Sequence, residues 1–361
     1  MSRLRMAVKD ALWRLPLRAF DAHRNHRCRG DRRILIVQNA VKQRSITRDF
    51  LRWIERHVPV LRARLEFTLL PCQVRDWSRY QLVAFWGGDT LMERAPWLYQ
   101  DALAFSRQCQ GRGVGVINPA THWSNATKSR AARLIAATGI RTAKMQVIDD
   151  VPKFLANRAS LELPLLIRED QGHQRHSVLV SHEQQLSRIP WSRFQNPIAV
   201  EFIDTRSPVD SLYRKYRYIA VGDTGIAKHL MFDREWEVKI ERVMTDQAKA
   251  EETAFVNSPD PNHERFQLAR QALGLDVVAF DYGYDLEGQL VVWEANPFPD
   301  LNYPTEAWSR HIFPSLARTY AALARLYLRR IELSVPPFLD DLLAAVPGDG
   351  QRADFRPRLA A

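Results

Sequence analysis

Residues 275–299 read LDVVAFDYGYDLEGQLVVWEANPFP, and this stretch decides the expected fold. Two apolar runs with a short polar turn between them predict a pair of adjacent strands. Asp281 lies on the first strand, and Glu294 and Asn296 end the second. Because alternate residues of a strand face the same side, Glu294 and Asn296 project together, and a hairpin partner can bring Asp281 opposite them.

Three oxygen donors that converge in this way favour a hard cation. Mg²⁺ keeps several waters and takes its remaining ligands from nucleotide phosphates, and Mn²⁺ could take its place. The alternative interpretation is that Asp281 and Asn296 merely end their strands in polar turns. It does not explain why a carboxylate and a carboxamide stand on either side of Ala295 directly after the apolar run LVVW. The metal site is therefore the preferred hypothesis.

Upstream, strands and helices alternate as in a parallel α/β sheet. The apolar patterns predict strands over 33–39, 64–71, 80–88 and 113–119, with helices over about 47–58 and 97–108. The segment QNAVKQ follows the first strand in place of a glycine fingerprint, which disfavours dinucleotide binding there. A helix over 124–139 follows, then a strand-rich region to about 245, a helix over about 264–273 and a long helix over about 306–331.

An Asp followed by an apolar strand that ends in Glu-x-Asn-x-x-Pro resembles the signature of the ATP-grasp superfamily. That superfamily includes glutathione synthetase, D-alanine:D-alanine ligase and the carboxylate-amine ligases that glutamylate proteins. The resemblance covers about residues 114 to 330 and implies that Asp281, Glu294 and Asn296 ligate Mg²⁺. It also implies an N-terminal parallel α/β substrate domain, of the kind that precedes ATP-grasp domains, followed by a two-lobed ATP-grasp domain.

The expected domain boundaries follow from this division. They are a basic arm over 1–30, the α/β substrate domain over 31–120, the ATP-grasp domain over 121–335 with a hinge near 198–204, and a tail over 336–361.

The resemblance also implies nucleotide contacts, residue by residue. Lys128, before a helix, matches the lysine that reaches the nucleotide. The segment AVEFID resembles the hinge whose backbone bonds the adenine edge, and Asp204 or Asp210 would hold the ribose. Arg217 matches the arginine that faces the phosphates, with Lys215 as its neighbour. The hinge contacts fall on Glu201, Phe202 and Ile203.

Two positions depart from the family pattern. Arg168 ends the segment PLLIR where relatives usually have a lysine; it keeps the charge, and with Arg217 it is the expected catalytic cation. The following loop, EDQGHQRHSV, has one glycine, Gly172, where relatives often have several. Its side chains His173, Arg175 and His176 could close over phosphates or could simply be solvated.

The implied function is an ATP-dependent ligase. A substrate carboxylate attacks the γ-phosphate of ATP, and an amine then displaces phosphate from the acyl phosphate, so no nucleophilic side chain is required. The carboxylate would belong to a small molecule or a peptide. FWGGDT at 85 to 90 is a candidate wall of the acceptor site. A kinase on the same fold that acts on a hydroxyl group, or a nucleotide-binding module without turnover, are the alternatives.

The distribution of charged residues along the chain indicates which kinds of partner the protein could bind. The formal net charge is +11, yet residues 1–33 alone hold ten basic and three acidic side chains, which argues against a basic folded face for nucleic acid. Within this arm Leu4, Val8, Leu12 and Leu15 recur at helical spacing until Pro16, where we expect an interruption. The arm could be a membrane-surface helix or could dock its apolar stripe on the body.

No run approaches the roughly 18 apolar residues that span a bilayer, and no secretory signal is evident, so we expect a cytoplasmic protein that could lie peripherally on a membrane. Three widely spaced cysteines suggest neither zinc nor disulfides. The sequence does not indicate an oligomeric state.

Overall fold

The computed structural model describes residues 3–40, 48–88, 91–157, 161–172, 177–238, 243–304 and 307–344. The strands in these ranges are β1 Arg33–Gln38, β2 Leu65–Leu69, β3 Tyr80–Trp86, β4 Gly115–Ile117, β5 Arg141–Thr142, β6 Met145–Val147, β7 Leu165–Glu169, β8 Ser177–Val180, β9 Pro197–Glu201, β10 Tyr213–Val221, β11 Thr224–Asp233, β12 Val277–Tyr284 and β13 Leu290–Asn296.

The α-helices in the same ranges are α1 Arg3–Asn25, α2 Arg48–His57, α3 Pro59–Arg62, α4 Leu91–Arg94, α5 Pro96–Gly111, α6 Lys128–Ala136, α7 Val151–Ala156, α8 Glu183–Leu186, α9 Asp246–Val256, α10 His263–Leu273, α11 Phe313–Arg330 and α12 Pro337–Ala344. Short 3₁₀ helices precede α6 and α11, at Ala120–Ala126 and Ala307–Ile312.

The N-terminal layer is a four-stranded sheet in the order β2-β1-β3-β4, with every neighbouring pair parallel. This confirms the predicted α/β layer. Strand β1 is buried along almost its whole length, as expected for a strand covered by helices on both faces. Helix α2 covers one of those faces with Phe50, Leu51 and Ile54, which are the residues that its periodicity turned inward.

The central layer is a five-stranded sheet in the order β11-β10-β12-β13-β5, antiparallel except for the β13–β5 pair. The predicted hairpin of β12 and β13 lies within it. A smaller antiparallel sheet, in the order β6-β9-β7-β8, makes up the third layer. The mixed architecture matches the fold class expected from the sequence.

Two elements differ from the sequence-based expectation. Helix α1 continues through Pro16 instead of stopping there, because Pro16 is exposed and water can reach the Leu12 carbonyl that the missing N–H leaves without an intrahelical donor. Helix α6 begins at Lys128 and not at Ser124, since Thr127 has an extended backbone with ψ of 148°. Among the described residues, no helix has the length and apolarity needed to cross a bilayer.

The hydrophobic cores show how the layers are joined. One cluster combines Ile34 and Leu82 of the N-terminal sheet with Val277 of the central sheet and with Leu316 and other buried residues of α11. A second cluster lies on the other face of the central sheet, under α9 and α10. The small third sheet has a core of its own, which includes Phe154, Leu165 and Ala199. The N-terminal and central sheets therefore share one core, whereas the third sheet is a separate lobe.

Candidate nucleotide and metal site

Strand register brings the predicted metal ligands to one face of the central sheet. Asp281 on β12 lies opposite Glu294 on β13, and Asn296 lies opposite Ala279. On its other side Asp281 is paired with Arg217 of β10. Directly opposite residues of antiparallel strands point to the same face, so the two carboxylates, the carboxamide and the guanidinium share one surface of the sheet.

Asp281 and Arg217 form a bidentate ion pair. Arg217 Nε donates to Oδ1 of Asp281 at 2.6 Å and Nη2 donates to Oδ2 at 2.7 Å, and Asp281 is 8% exposed. Burial raises the pKa of Asp281, but the charge and hydrogen bonds of Arg217 outweigh it, so the pKa is lowered and the carboxylate is ionised. The same pairing raises the pKa of Arg217. The Asp281 carboxylate is therefore ionised at neutral pH, and the positive charge of Arg217 balances it.

Two more cations predicted from the sequence, Lys215 and Arg168, lie near this ion pair. Lys215 Nζ lies 4.0 Å from Oδ2 of Asp281. Burial lowers the pKa of Lys215, Asp281 opposes this shift, and the positive charges of Arg217 and Arg168 add to it. Arg168, on β7 of the third sheet, is thus close enough to act on a residue of the central sheet. The cations expected to face the phosphates converge from two layers.

Lys128 is the first residue of α6 and is 4% exposed. Its Nζ donates to the carbonyl of Gly172 at 2.8 Å, and its backbone N–H donates to the carbonyl of Asp170 at 3.0 Å. The Asp170 side chain in turn accepts from the backbone and the hydroxyl of Ser129, at 2.7 and 2.9 Å. The start of α6 is therefore attached to the loop after β7. The loop residues His173, Arg175 and His176 lie outside the described residues.

A small cavity connects Lys128 with the metal strands. Its lining includes Lys128, Glu294, Gly88 and Phe298. Gly87 approaches the ring of Phe298 so closely that a Cβ at this position would lie 3.3 Å from it. The glycine pair after β3 thus lets the N-terminal layer come close to the end of β13, and its part in an acceptor site stays a prediction; Asp89 and Thr90, which follow, are outside the described residues.

The predicted hinge segment connects the third sheet to the central sheet. The Glu201 N–H donates to the Lys144 carbonyl at 2.8 Å, and the Glu201 carboxylate accepts from the Lys144 N–H at 2.9 Å. Phe202 packs against Trp236 with ring centroids 6.2 Å apart, and Ile203 belongs to the same apolar cluster. The apolar side chains of the hinge segment therefore pack in a cluster that includes Trp236.

The two candidate ribose ligands lie in different surroundings. Asp204 follows the hinge and accepts from the backbone and the guanidinium of Arg206, at 2.9 and 3.0 Å. Asp210 accepts two hydrogen bonds from Arg214, at 2.9 and 2.6 Å, and Arg214 also binds Glu251 of α9. The Arg214 hydrogen bonds lower the pKa of Asp210. Since Arg214 and Arg217 stand an odd number of residues apart on β10, Asp210 is attached to the opposite face from the metal ligands.

Lys228 is a buried cation near the site that the sequence reasoning missed. It lies on β11, is 7% exposed and donates to the backbone carbonyl of Asp300. Burial lowers the pKa of Lys228 to about 8, with a further contribution from the charge of Arg217 and opposition from Asp300 and Asp281. The available signal was a single lysine within the apolar strand GIAKHLMF. In the register Lys228 is the extra residue of a β-bulge, between the partners of Arg217 and Tyr218, so the strict alternation along β11 is interrupted at this position.

Asn118 was also missed, and it joins the layers behind the site. Its side-chain amide donates to the carbonyls of Val277 at 2.7 Å and Pro297 at 2.9 Å, and its Oδ1 accepts from the N–H groups of Asp276 and Val277 at 2.8 and 2.9 Å. It is 3% exposed and has a φ of 50°, a left-handed conformation that Asn tolerates better than most residues. Asn118 therefore links the end of the N-terminal sheet to β12 and to the residue after Asn296.

The donor set suits a magnesium ion. Within the described ranges, no group of three or more His, Cys, Asp and Glu is arranged for a metal, and the candidate set is instead two carboxylates and a carboxamide. Asn296 Oδ1 accepts from the Phe298 N–H at 2.8 Å, which fixes the orientation of the carboxamide. Each carboxylate oxygen of Asp281 that receives an Arg217 hydrogen bond keeps a further lone pair for a cation. These hard oxygen donors are of the type that Mg²⁺ takes.

Solved structures provide the comparison. D-alanine–D-alanine ligase from Bacillus anthracis, complexed with ATP, is 8% identical and matches with a TM-score of 0.50 over 84% of this chain and 99% of that chain. VanG D-Ala:D-Ser ligase from Enterococcus faecalis is 13% identical with a TM-score of 0.48, over 81% and 100% of the two chains. The ATP-grasp ligase PsnB, complexed with a minimal precursor, is 13% identical with a TM-score of 0.47, over 87% and 100%.

No family model matches the chain, and no curated protein matches it either. The likeness to the Bacillus anthracis enzyme extends over most of both chains and concerns the fold. The chain therefore has the ATP-grasp fold, which confirms the fold class expected from the sequence.

Proposed function

We propose that this protein is an ATP-dependent, Mg²⁺-requiring ligase that joins a carboxylate to an amine through an acyl phosphate. The observation that carries the proposal is the set of Asp281, Glu294 and Asn296 on one sheet face, with Arg217 and Lys215 beside it. A partly buried surface that combines hard oxygen donors with several fixed cations suits a polyphosphate and its metal ion better than an uncharged ligand.

In this proposal the nucleotide lies between the central sheet and the third sheet. Lys128, Arg168, Arg217 and Lys215 neutralise the phosphate oxygens, with Lys228 behind them as a further positive charge. The adenine edge bonds to the backbone of Glu201, Phe202 and Ile203 at the hinge. Of the two ribose candidates, Asp204 is preferred, because Asp210 is held by Arg214 on the opposite face of β10.

The proposed reaction has two steps. A carboxylate oxygen of the substrate attacks the γ-phosphorus of ATP, the bond from that phosphorus to the bridging oxygen breaks, and ADP leaves. The amine nitrogen then attacks the acyl carbon, phosphate departs with the bond electrons, and the nitrogen loses a proton. Bound Mg²⁺ would neutralise charge on the phosphate oxygens. The protein contributes orientation and fixed positive charge, which is how phosphoryl transfer is mainly accelerated.

Arg217 has a defined part in this arrangement. Its two hydrogen bonds hold the Asp281 carboxylate in one orientation, so the donor is preorganised before any ligand binds. The acceptor carboxylate and amine would enter beside Gly88 and Phe298, at the cavity that Glu294 also lines. A small molecule or a peptide end could reach this point from the side of the N-terminal sheet.

The proposal is tested by ATP consumption with Mg²⁺ across a panel of amino acids, peptides and amino sugars, with and without hydroxylamine. We expect ADP release that depends on a carboxylate substrate, together with an acyl hydroxamate when hydroxylamine is present. ADP release with a phosphorylated hydroxyl product and no hydroxamate would indicate a kinase instead. Binding of a non-hydrolysable ATP analogue without ADP release from any substrate pair would indicate a nucleotide-binding module.

A further inference from the structure

The outward face of α1 is unusually apolar. Val8, Leu12 and Leu15 are 49%, 70% and 74% exposed, and Trp13 and Phe20, which lie about 140° and 120° around the helix from Val8, are 50% and 42% exposed. These five are a large share of the twelve large apolar side chains that are exposed in the described residues. At 100° per residue, Val8, Leu12 and Leu15 fall within one narrow stripe. We call this stripe, with Ala11, Ala19 and Ala22, the outer face of α1.

The polar side of α1 is turned toward the body of the protein. Asp10 and Asp21 are 7% and 4% exposed, and Arg14 and Arg24 form ion pairs with them along the helix. Leu17, the buried apolar residue of this side, packs in a cluster with Leu69 and Ala40. This polarity is the reverse of an ordinary surface helix, which buries its apolar stripe and exposes its charges.

The helix is also fixed in this orientation. Asn25 at its end exchanges two hydrogen bonds with the backbone of Phe67 on β2, at 2.8 and 3.0 Å. The guanidinium of Arg24 lies over the Phe67 ring, 4.4 Å from its centroid. Rotating α1 to bury its outer face would break these contacts. The structure thus excludes the packing arm considered from the sequence, because the apolar stripe does not dock on the body.

Positive charge accompanies the outer face. Lys9 and Arg18 are exposed, about 100° to one side and 80° to the other of the stripe's centre at Val8. Residues 1–33 contain ten basic and three acidic side chains. We propose that α1 binds the surface of an anionic lipid bilayer, with Val8, Leu12 and Leu15 entering the acyl boundary and the flanking cations at the headgroups. Apolar insertion combined with charge attraction is the usual basis of interfacial helix binding.

Other occupants fit these observations less well. A second copy of the chain would bring Lys9 and Arg18 near their own counterparts, so like charges would repel across the contact. A nucleic acid would place its phosphates against the aliphatic centre of the stripe, where no polar group is available to meet them. A bilayer with anionic headgroups satisfies both the apolar centre and the basic margins.

The test is sedimentation of the full chain with vesicles of phosphatidylcholine alone or of phosphatidylcholine with phosphatidylglycerol. We expect binding to the anionic vesicles that weakens as salt is raised. The double variant Leu12→Glu/Leu15→Glu should reduce the binding constant by at least about tenfold, because it places carboxylates where the acyl chains would be. The double variant Lys9→Gln/Arg18→Gln should weaken binding and flatten its dependence on salt.

The matched control is the double variant Leu268→Glu/Leu286→Glu, which adds the same two negative charges at exposed leucines of α10 and of the turn after β12, 52% and 46% exposed, and should bind as the unmodified protein does. Circular dichroism verifies that each variant is folded. Equal sedimentation of the unmodified protein and Leu12→Glu/Leu15→Glu would overturn the proposal. A dimer in vesicle-free solution that the same double variant abolishes would overturn it in favour of a second copy. ATP turnover does not enter either outcome, so the test is independent of the proposed enzyme activity.

Discussion

At the scale of single residues, the charge balance around Asp281 is the main feature. The carboxylate is buried, faces Glu294 across one strand pair and is neutralised by Arg217 across the other. Arg217 is therefore needed for the folded state even before a ligand binds, because an unpaired buried charge is costly. A cation that enters between Asp281 and Glu294 would relieve the remaining repulsion between the two carboxylates.

Neutralising Asp281 tests its proposed role as a ligand of the metal ion. If the proposed function holds, we expect Asp281→Asn to lower Mg²⁺-dependent ATP turnover by at least about 100-fold, because both the proposed metal ligand and the ionised partner of Arg217 are lost. The increase in melting temperature that Mg²⁺ and a non-hydrolysable ATP analogue produce together should also shrink. Asp223→Asn is the control, since Asp223 is 79% exposed between β10 and β11 and should change stability by less than about 0.5 kcal/mol. An unchanged thermal shift in Asp281→Asn would argue against the metal site.

The pH dependence of stability tests how burial shifts the pKa of Asp260. It accepts from the Tyr282 hydroxyl at 2.6 Å and from the Asn262 N–H at 2.8 Å, and burial raises its pKa from 3.8 to about 6. Between these pH values the folded protein keeps a proton that the unfolded chain has released. The contribution of Asp260 to stability therefore falls as the pH rises from about 4 to about 6 and stays constant above that.

Asp260→Asn removes this titration while keeping an oxygen that can accept from Tyr282. We expect the free energy of unfolding of the unmodified protein, relative to the variant, to fall by about 2 kcal/mol between pH 4 and pH 7. Urea denaturation at several pH values measures this difference directly. A difference that does not change with pH would show that Asp260 has an ordinary pKa in the folded protein.

At the scale of elements, the connection between the N-terminal sheet and the metal strands depends on one side chain. Asn118 holds the backbone of Asp276, Val277 and Pro297 with four hydrogen bonds, all of them behind the site. A residue without an amide leaves these backbone groups buried and unpaired. The position of β12 relative to β13 is thereby coupled to the end of β4.

The expected cost of Asn118→Ala is about 3 kcal/mol of unfolding free energy, from the unpaired backbone groups and the left-handed backbone that Ala adopts less readily. Asn125→Ala is the matched control, because among the described residues the Asn125 side chain donates one hydrogen bond, to the Leu273 carbonyl at 2.9 Å, and its loss should cost only about 1 kcal/mol. Chemical denaturation compares the two variants. Equal losses would mean that Asn118 does not join the two sheets energetically.

At the scale of the whole molecule, the layers differ in how they depend on one another. Helix α11 supplies core residues to both the N-terminal and the central sheet, and a buried hydrogen bond of 2.9 Å joins Trp86 of β3 to Tyr327 of α11. The third sheet packs mainly on its own cluster around Phe154. A lobe with its own core can open without unfolding the rest, and the nucleotide of the proposed function would lie beneath that lobe.

Hydrogen exchange should reveal this division. We expect Leu316→Ala, which opens a cavity in the shared core, to cost about 3 kcal/mol and to increase exchange in β1, β3 and β12 together. Phe154→Ala should cost a similar amount, but its effect on exchange should be confined to β7 and β9 and their neighbours. Parallel increases in all three sheets for both variants would contradict the separate lobe.

The sequence by itself determined the local features of this protein. The alternation of side chains along a strand was enough to predict that Glu294 and Asn296 share a face and that Asp281 could lie opposite them, because that periodicity is a property of the backbone. The inward residues of α2 followed from helical periodicity for the same reason. The predicted roles of Lys128, Arg168 and the hinge residues in binding ATP remain predictions.

Only the tertiary structure decided which distant residues meet. Arg217 is 64 residues from Asp281, and Asn118 is 159 residues from Val277, and no local pattern encodes such pairings. Periodicity grouped Val8, Leu12 and Leu15 on one face of α1, yet it could not tell whether that face was buried. The answer depended on Leu17, Arg24 and Asn25, which hold the opposite side of the helix against β2, because the orientation of a helix is set by its contacts with the rest of the fold.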